Sequence, residues 1–216
     1  MAGIGRVTAL REHPRRAGRY VVEVDGEAVG AVSVDRLADL GLRVGSAVDD
    51  ALRARLEEAA RAVACYDRAT DGLARRARSR VELSRWLKQR EFSAVEIEPT
   101  LDKLEALGLL NDREYAHGFA RSRLAVGRGQ GPRRVAAELA RRGVARELVD
   151  EVLAELRDEG LADEATSIAA VAQRKWRTLA ELEPQVARRR LIGFLSRRGF
   201  STSAIAAELR RLGGQA

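Results

Sequence analysis

Residues 131–156 read GPRRVAAELARRGVARELVDEVLAEL, and their pattern decides the fold. Val135 and Leu139 lie one helical turn apart, and a second apolar face at helical spacing follows Val144. Gly143 stands between the two faces, and glycine tolerates the left-handed conformation that ends a helix. The stretch therefore predicts two amphipathic helices joined by a tight turn, with Val144 filling the corner between them.

The same apolar pattern occurs three times, with Phe92, Val144 and Phe200 at equivalent corners that lie 52 and 56 residues apart. Five more positions are apolar in every copy: Leu83, Leu87, Ile97, Leu101 and Leu104; Val135, Leu139, Val149, Leu153 and Leu156; Leu191, Leu195, Ile205, Leu209 and Leu212. Such a period predicts a tandem array of small units that pack against their neighbours. The first copy has Glu91 where the later copies have glycine, so we expect a weaker turn there.

Signals for helix starts recur with the same period. Ser93 with Glu96 three residues later forms a capping box, and so does the pair Ser79 and Glu82. Asn111 is the expected N-cap of a third helix that precedes each pair. Gly160 and Asp163 repeat the positions of Gly108 and Asn111 one unit later. Each unit is therefore predicted to hold three helices.

The first 66 residues have a different pattern. Tyr20, Val22 and Val24 fall on one side of a predicted strand, and a second apolar run follows at 28–32. Asp25-Gly26 between the two runs is a two-residue hairpin signal. An earlier strand is expected over 7–11, and helical spacing of apolar residues predicts a helix from about Val48 to Thr70. This segment is predicted to be a small sheet joined by a helix to the rest.

We therefore expect a mainly α protein, a tandem array of three three-helix modules with a small N-terminal β-containing segment. The expected boundaries are an N-terminal hairpin with its linking helix at 1–66, a first module at 67–108, a second at 109–160 and a third, basic module at 161–216. Aromatic residues make up only 4% of the chain, which disfavours a β-sandwich.

Composition excludes several classes of protein. The 216 residues contain one cysteine, which excludes an intramolecular disulfide framework and a zinc site with several cysteine ligands. No apolar run reaches the roughly 18 residues that span a bilayer, and the N-terminus has no apolar signal core. We expect a soluble cytoplasmic protein without a membrane association.

The positive charge is concentrated at the C-terminal end. The chain has 39 Lys and Arg against 32 Asp and Glu, a net charge of +7. Residues 172–216 hold 10 basic and 3 acidic side chains, which accounts for the whole excess. A localised basic region indicates an acidic partner or a polyanion, although an arginine-rich helical surface can also be merely solvated.

Basic pairs also recur at equivalent helix ends, where they either interact with the helix dipole or form a row of partner contacts. The candidate partner-binding residues are Arg90, Arg133, Arg134, Arg141, Arg142, Lys175, Arg188, Arg189, Arg190, Arg197 and Arg198. Three successive arginines such as those at 188–190 span most of a helix circumference, so they cannot all face one partner. Trp176 either stacks on a base or, as we favour, anchors its helix.

The sequence shows no arrangement of residues typical of an enzyme. His13 and His117 lack the helix-spaced ligands of a metal site, and Cys65 has no histidine nearby in sequence. Residues 127–131, GRGQG, lack the preceding strand and the Gly-Lys-Ser/Thr ending of a phosphate loop. We therefore expect no catalytic residue, no metal and no cofactor, and a connector before Pro132.

Three stretches resemble the RecX family of bacterial recombination regulators. They are SRVEL at 79–83 with Leu87 and Phe92, LGLLNDREYA at 107–116, and GPRRVAAEL at 131–139 with RGV at 142–144. The similarity covers about 67–214, and the middle stretch is the most specific. Glu91 departs from the later copies, and the third module matches in its apolar residues alone.

This resemblance implies an all-helical array that binds the filament formed by the RecA recombinase on DNA. Family members lodge in the helical groove of that filament and inhibit its extension, ATP hydrolysis and strand exchange. The resemblance implies no catalytic residues, because the family has none. The alternative is a helical DNA-binding protein that acts independently of RecA, because three-helix units with basic helices resemble helix-turn-helix domains.

Overall fold

The computed structural model describes residues 5–124, 129–161 and 163–213. The chain forms two compact units. The first unit contains residues 1–77 and 83–109, and the second contains 78–82 and 110–216. None of the described helices is both long enough and apolar enough to cross a membrane.

The N-terminal part of the first unit is an antiparallel sheet with the strand order β3-β2-β1-β4. The strands are β1 (Gly5–Glu12), β2 (Arg19–Val24), β3 (Glu27–Ser33) and the short β4 (Ala47–Val48). The sequence predicted the first three and missed β4, whose two residues are too few to show an alternating pattern.

The β2–β3 turn has the predicted form. Val24 pairs with Glu27, so Asp25 and Gly26 form the two-residue loop, with φ of 53° and 87°. Positive φ at both positions is what a type I′ hairpin requires, and Asp and Gly both tolerate it. This confirms the hairpin at the predicted place.

Two helices complete this part of the first unit, α1 (Val34–Asp39) and α2 (Asp50–Arg75). The α2 helix packs on the sheet through Leu56 and Ala60, and Arg19 of β2 forms an ion pair of 2.9 Å with Asp67. The helix continues without interruption through residues 66 and 67, so the N-terminal segment and the first module share it.

Eight further helices in the described part of the chain carry the repeat. They are α3 (Arg80–Lys88), α4 (Ala94–Ala106), α5 (Asp112–Leu124), α6 (Pro132–Arg141), α7 (Arg146–Asp158), α8 (Glu164–Arg177), α9 (Pro184–Arg197) and α10 (Thr202–Gly213). The mainly helical fold class, with three-helix modules in tandem after a small strand segment, is thereby confirmed. The boundaries assigned to the modules from sequence stay predictions.

The repeated apolar positions form the module cores. All of them are buried except Phe92 and Leu209, which are half-buried. In the second unit, α5, α6 and α7 enclose one apolar cluster, while α8, α9 and α10 enclose another. Trp176 packs against the second of these clusters, as expected for a residue that anchors its helix.

Predicted caps are present at the starts of α4, α5 and α8, and at the start of α3 the Glu82 N–H donates a 3.1 Å hydrogen bond to the Ser79 hydroxyl oxygen. Ser93 and Glu96 form a complete capping box at the start of α4. The side chain of Asn111 accepts hydrogen bonds from two backbone N–H groups of α5, and Asp163 does the same for α8. These bonds satisfy N–H groups that the helices leave open at their first turns.

The turn after the second helix of each module is left-handed in all three copies. Gly143 and Gly199 have φ of 85° and 84°, and Glu91 has φ of 65°. A residue with a Cβ pays a steric cost in this region, so the first module carries strain that the others avoid. The guanidinium of Arg61 donates a 2.9 Å hydrogen bond to the Glu91 carbonyl oxygen and thereby supports the turn.

Candidate partner-binding surface

The start of α3 meets the end of α6 within the second unit, and we call this contact the first junction. The Ser79 hydroxyl donates a 2.5 Å hydrogen bond to the carbonyl oxygen of Arg142. A Cβ on Gly143 would overlap the side chain of Val81, so only glycine allows the close approach. Asp112 accepts a 2.7 Å bond from the Arg80 backbone N–H, and burial raises the pKa of its carboxyl.

A cluster of polar side chains fixes this junction. Arg142 Nη1 lies 2.6 Å from Glu82 Oε1 and 3.1 Å from the Tyr115 hydroxyl, which itself donates a 2.9 Å bond to Glu82. The Arg142 guanidinium also lies 4.8 Å from the centre of the Phe119 ring. Burial, together with the hydrogen bond to Glu82, raises the pKa of Tyr115. The Arg142 guanidinium is therefore engaged in contacts within the second unit.

The start of α6 meets the end of α9 in an equivalent second junction. The Gly131 N–H donates a 2.7 Å bond to the Arg198 carbonyl oxygen, and the Arg133 N–H bonds the Gly199 carbonyl oxygen at 3.3 Å. A Cβ on Gly199 would overlap the backbone of Arg134. Carbonyl groups left unpaired at the end of α9 thus accept hydrogen bonds from N–H groups left unpaired at the start of α6. The negative end of the α9 dipole therefore faces the positive end of the α6 dipole.

Two predicted site residues take part in the second junction with their side chains. Arg198 Nη1 donates a 2.9 Å bond to the Gly129 carbonyl oxygen, and its guanidinium lies 4.7 Å from the Phe194 ring centre. Arg134 pairs with Glu138 at 3.1 Å and also bonds the Arg197 carbonyl oxygen. Like Arg142, these arginines have intramolecular partners.

Arg90 lies in the first unit at the equivalent helix end. Its guanidinium stacks 3.7 Å from the Trp86 ring centre and donates a 3.1 Å bond to the Trp86 carbonyl oxygen. The residue is exposed, so the stacking fixes its position while leaving one side open to solvent.

The remaining predicted residues differ in exposure. Lys175 is half-buried, whereas the rest are exposed: Arg133, Arg141, Arg188, Arg189, Arg190 and Arg197. The structure brings four of the predicted residues together around one groove between α8 and α9, namely Lys175, Arg189, Arg190 and Arg197. Arg188 does not line it and lies beside Gly213 instead, as helix geometry requires for successive residues.

The remaining candidates for chemistry are Cys65, a metal site and the stretch at 127–131. Cys65 is fully buried, and burial raises the pKa of its thiol above the ordinary value, which disfavours a reactive thiolate. Among the described residues, no group of three or more His, Cys, Asp or Glu side chains could hold a metal ion. Pro132 begins α6, while residues 127 and 128 of the expected connector lie outside the described residues.

Three family models match the chain in succession. The first three-helix domain of RecX matches residues 65–104, the second matches 111–153 and the third matches 162–208. A regulatory protein RecX of Pseudomonas putida is 39% identical over 143 residues, which cover 66% of this chain and 87% of that protein. The chain belongs to the RecX family.

Two other RecX relatives show how far the similarity extends. Regulatory protein RecX of Halorhodospira halophila is 38% identical, over 70% of this chain and 89% of its own length. That of Levilactobacillus brevis is 33% identical over 79% of this chain, but the match spans only 64% of the longer relative.

Solved structures of RecX proteins share the fold. A crystal structure of regulatory protein RecX superposes with a TM-score of 0.79 over 95% of this chain and 99% of the other, at 22% identity. The structure of RecX from Lactobacillus salivarius gives a TM-score of 0.64 over 71% of this chain and 97% of the other, at 20% identity.

Sequence reasoning missed the partners of the junction arginines and the residues at the base of the groove. Tyr115 is one corner of the polar cluster, and nothing in its local sequence indicates this. Phe194 and Gly193 could have been found by aligning the modules, since they occupy the positions of Glu138 and Ala137 in the preceding copy.

Proposed function

We propose that this RecX-family protein is a non-enzymatic regulator that binds the RecA–DNA filament. Binding in the helical groove of the filament inhibits filament extension, ATP hydrolysis and strand exchange. The protein then acts in the cytoplasm, in DNA recombination and repair and in the SOS response. The observation that carries this proposal is the run of three successive matches to RecX three-helix domains.

The repeated junction supports a filamentous partner. The same arrangement of helix end, helix start and obligatory glycine occurs at Gly143 and at Gly199. Equivalent junctions within the second unit recur with the period of the modules, which suits a partner that is itself a repeat of identical protomers. Several weak contacts of this kind add up through avidity.

Exposed arginines supply the contacts in this proposal. Arg133 and Arg189 are exposed at equivalent positions of successive modules, eleven residues before each corner. Guanidinium groups bind both carboxylates and phosphates in a bidentate manner, so they serve either the protein or the DNA of the filament. Arg90, Arg141, Arg188 and Lys175 extend this set. Arg134, Arg142 and Arg198 act chiefly through their contacts within the second unit.

The deciding experiment titrates the protein into RecA that hydrolyses ATP on single-stranded DNA, at far below one copy per RecA. We expect strong inhibition, because a bound regulator that blocks extension affects many protomers. A parallel binding assay with the same DNA in the absence of RecA controls for masking of the DNA. Unchanged hydrolysis at stoichiometric protein would refute the proposal.

The alternative is a DNA-binding protein that acts without RecA, and the basic residues of 172–216 are the observation in its favour. Tight binding to bare DNA together with unchanged RecA activity would establish it. In that case the three-helix domains would describe the fold alone.

A further inference from the structure

The groove between α8 and α9 is unusual for its charge. It has a volume of about 400 Å³ and is lined by Lys175, Leu179, Arg189, Arg190, Gly193, Phe194 and Arg197. None of these described lining residues is acidic. The side chains of Arg189, Arg190 and Arg197 have no ion-pair partner among the described residues. Their charges are therefore available to a ligand.

Comparison with the preceding module shows how this charge becomes available. Arg134 and Arg190 are equivalent, ten residues before their corners. Arg134 is neutralised by Glu138, four residues later on the same helix, at 3.1 Å. The third module has Phe194 at that place, so Arg190 has no carboxylate within its helix turn. The Phe194 ring instead has Lys175 Nζ 5.5 Å from its centre, which keeps a fourth cation at the groove.

Gly193 lowers the floor of the groove. It lies within α9 and its φ is not positive, so backbone conformation does not call for glycine there. Glycine within a helix is less favourable than alanine. A Cβ at this position would have only Arg197 Nη1, at 3.3 Å, as a neighbour. Neither the backbone nor tight packing explains this glycine, whereas access to the floor of a binding groove does.

We propose that this groove binds consecutive phosphate groups of a single nucleic-acid strand. Arg190 and Arg197 are seven residues apart, which places them about 10 Å apart along the helix axis. They therefore reach different phosphates of one strand. A nucleic-acid strand presents negative charge at every nucleotide. A cluster of cations without an acidic residue fits such a strand.

This inference deepens the proposed function, because it names the DNA strand as a ligand of the third module. It can nevertheless fail independently, since its test contains no RecA. The probe is a short fluorescein-labelled oligothymidine, and the measurement is its equilibrium fluorescence anisotropy against the full chain over a series of salt concentrations.

The test variant is Arg190→Glu with Arg197→Glu. We expect at least about tenfold weaker binding at low salt, since two charge-assisted contacts are lost and replaced by repulsion. The slope of log K against log salt should become shallower by about 1.4, at about 0.7 for each lost phosphate contact. The matched control is Arg121→Glu with Arg210→Glu, two exposed helical arginines outside the groove that change the net charge equally. Equal weakening by both pairs would overturn the proposal, since net charge alone would explain it.

A neutral variant separates the shape of the groove from its charge. Gly193→Leu fills the floor with a good helix former, so it should fold at least as stably as the parent and bind the oligothymidine several-fold more weakly. Circular dichroism checks the folding. Parental affinity in this variant would refute the groove as the path of the strand.

Competition identifies the ligand class. Inorganic tripolyphosphate and polyglutamate are added against the labelled oligothymidine at equal concentrations of negative charge. We expect both to compete poorly, because neither reproduces phosphates at nucleotide spacing. Equal competition by tripolyphosphate would indicate a site for free phosphate groups, and equal competition by polyglutamate a site for an acidic protein. Either result contradicts the proposal.

Discussion

The left-handed residue Glu91 offers a direct test of how the modules end their second helices. Gly143 and Gly199 take the same conformation, and there a Cβ would meet Val81 and Arg134. Glu91 is exposed, so its Cβ is tolerated at the cost of backbone strain alone. Replacing Glu91 with glycine should therefore stabilise the first unit.

The magnitude follows from two opposing terms. A left-handed residue with a Cβ costs about 1–2 kcal/mol, and Glu91→Gly removes this cost. Glycine loses more conformational freedom on folding than glutamate does, and this loss reduces the gain by about 0.5–1 kcal/mol. The hydrogen bond from Arg61 goes to the Glu91 carbonyl oxygen, so the substitution retains it. We expect a net gain of about 1 kcal/mol, or about 4 °C in the midpoint of a unit of this size.

The assay uses tryptophan fluorescence during urea unfolding. The chain has two tryptophans, so a Trp176→Phe background leaves Trp86 as the single reporter. Trp86 lies in α3, shortly before the turn at Glu91. Glu91→Ala is the control, because it removes the carboxylate and keeps the Cβ. We expect no gain from Glu91→Ala. If Glu91→Gly is no more stable than Glu91→Ala, the reasoning from backbone strain is wrong.

Three other predictions concern stability. Gly199→Ala should destabilise the protein by about 3 kcal/mol or more, because the new Cβ would overlap the Arg134 backbone. Gly160→Ala should cost only about 1–2 kcal/mol, because Gly160 has a φ of 72° but no neighbour close to a Cβ. Urea unfolding of both variants compares the two losses. Tyr115→Phe should cost about 0.5–1.5 kcal/mol in the same assay, because Glu82 and Arg142 lose a partner, and an unchanged midpoint would contradict a structural role. Arg61 holds the pKa of Glu96 at about 2, below its ordinary 4.5, so the carboxylate stabilises the fold at neutral pH and this contribution is lost as the pH falls from about 4.5 to about 2. The destabilisation caused by Glu96→Gln should shrink over that range, and a constant difference would refute this linkage.

Periodicity made most of the fold predictable from the sequence. The apolar positions around Phe92, Val144 and Phe200 are set by helix geometry, which acts over a few residues and is therefore visible along the chain. Capping by Ser93 and the turn at Asp25 are equally local. The two-residue strand β4 was missed, because it exists only through pairing with β1.

The candidate surface was less predictable. The sequence groups Arg134, Arg142 and Arg198 with the exposed arginines, because all belong to similar basic pairs and clusters along the chain. The structure gives these three intramolecular partners that lie far away along the chain, such as Glu82, which is 60 residues before Arg142. A pattern of single residues cannot distinguish such a pair from a solvated charge.

The sequence by itself determined which residues form helices, which faces are buried and how often the unit repeats, because these depend on spacing along the chain. It also carried the family resemblance. Only the tertiary structure decided that a Cβ at Gly143 or Gly199 would have no room, which arginines have partners within the protein, and which four cations line one groove. Those properties depend on the approach of residues that are distant in sequence, and close packing fixes that approach when the helices come together.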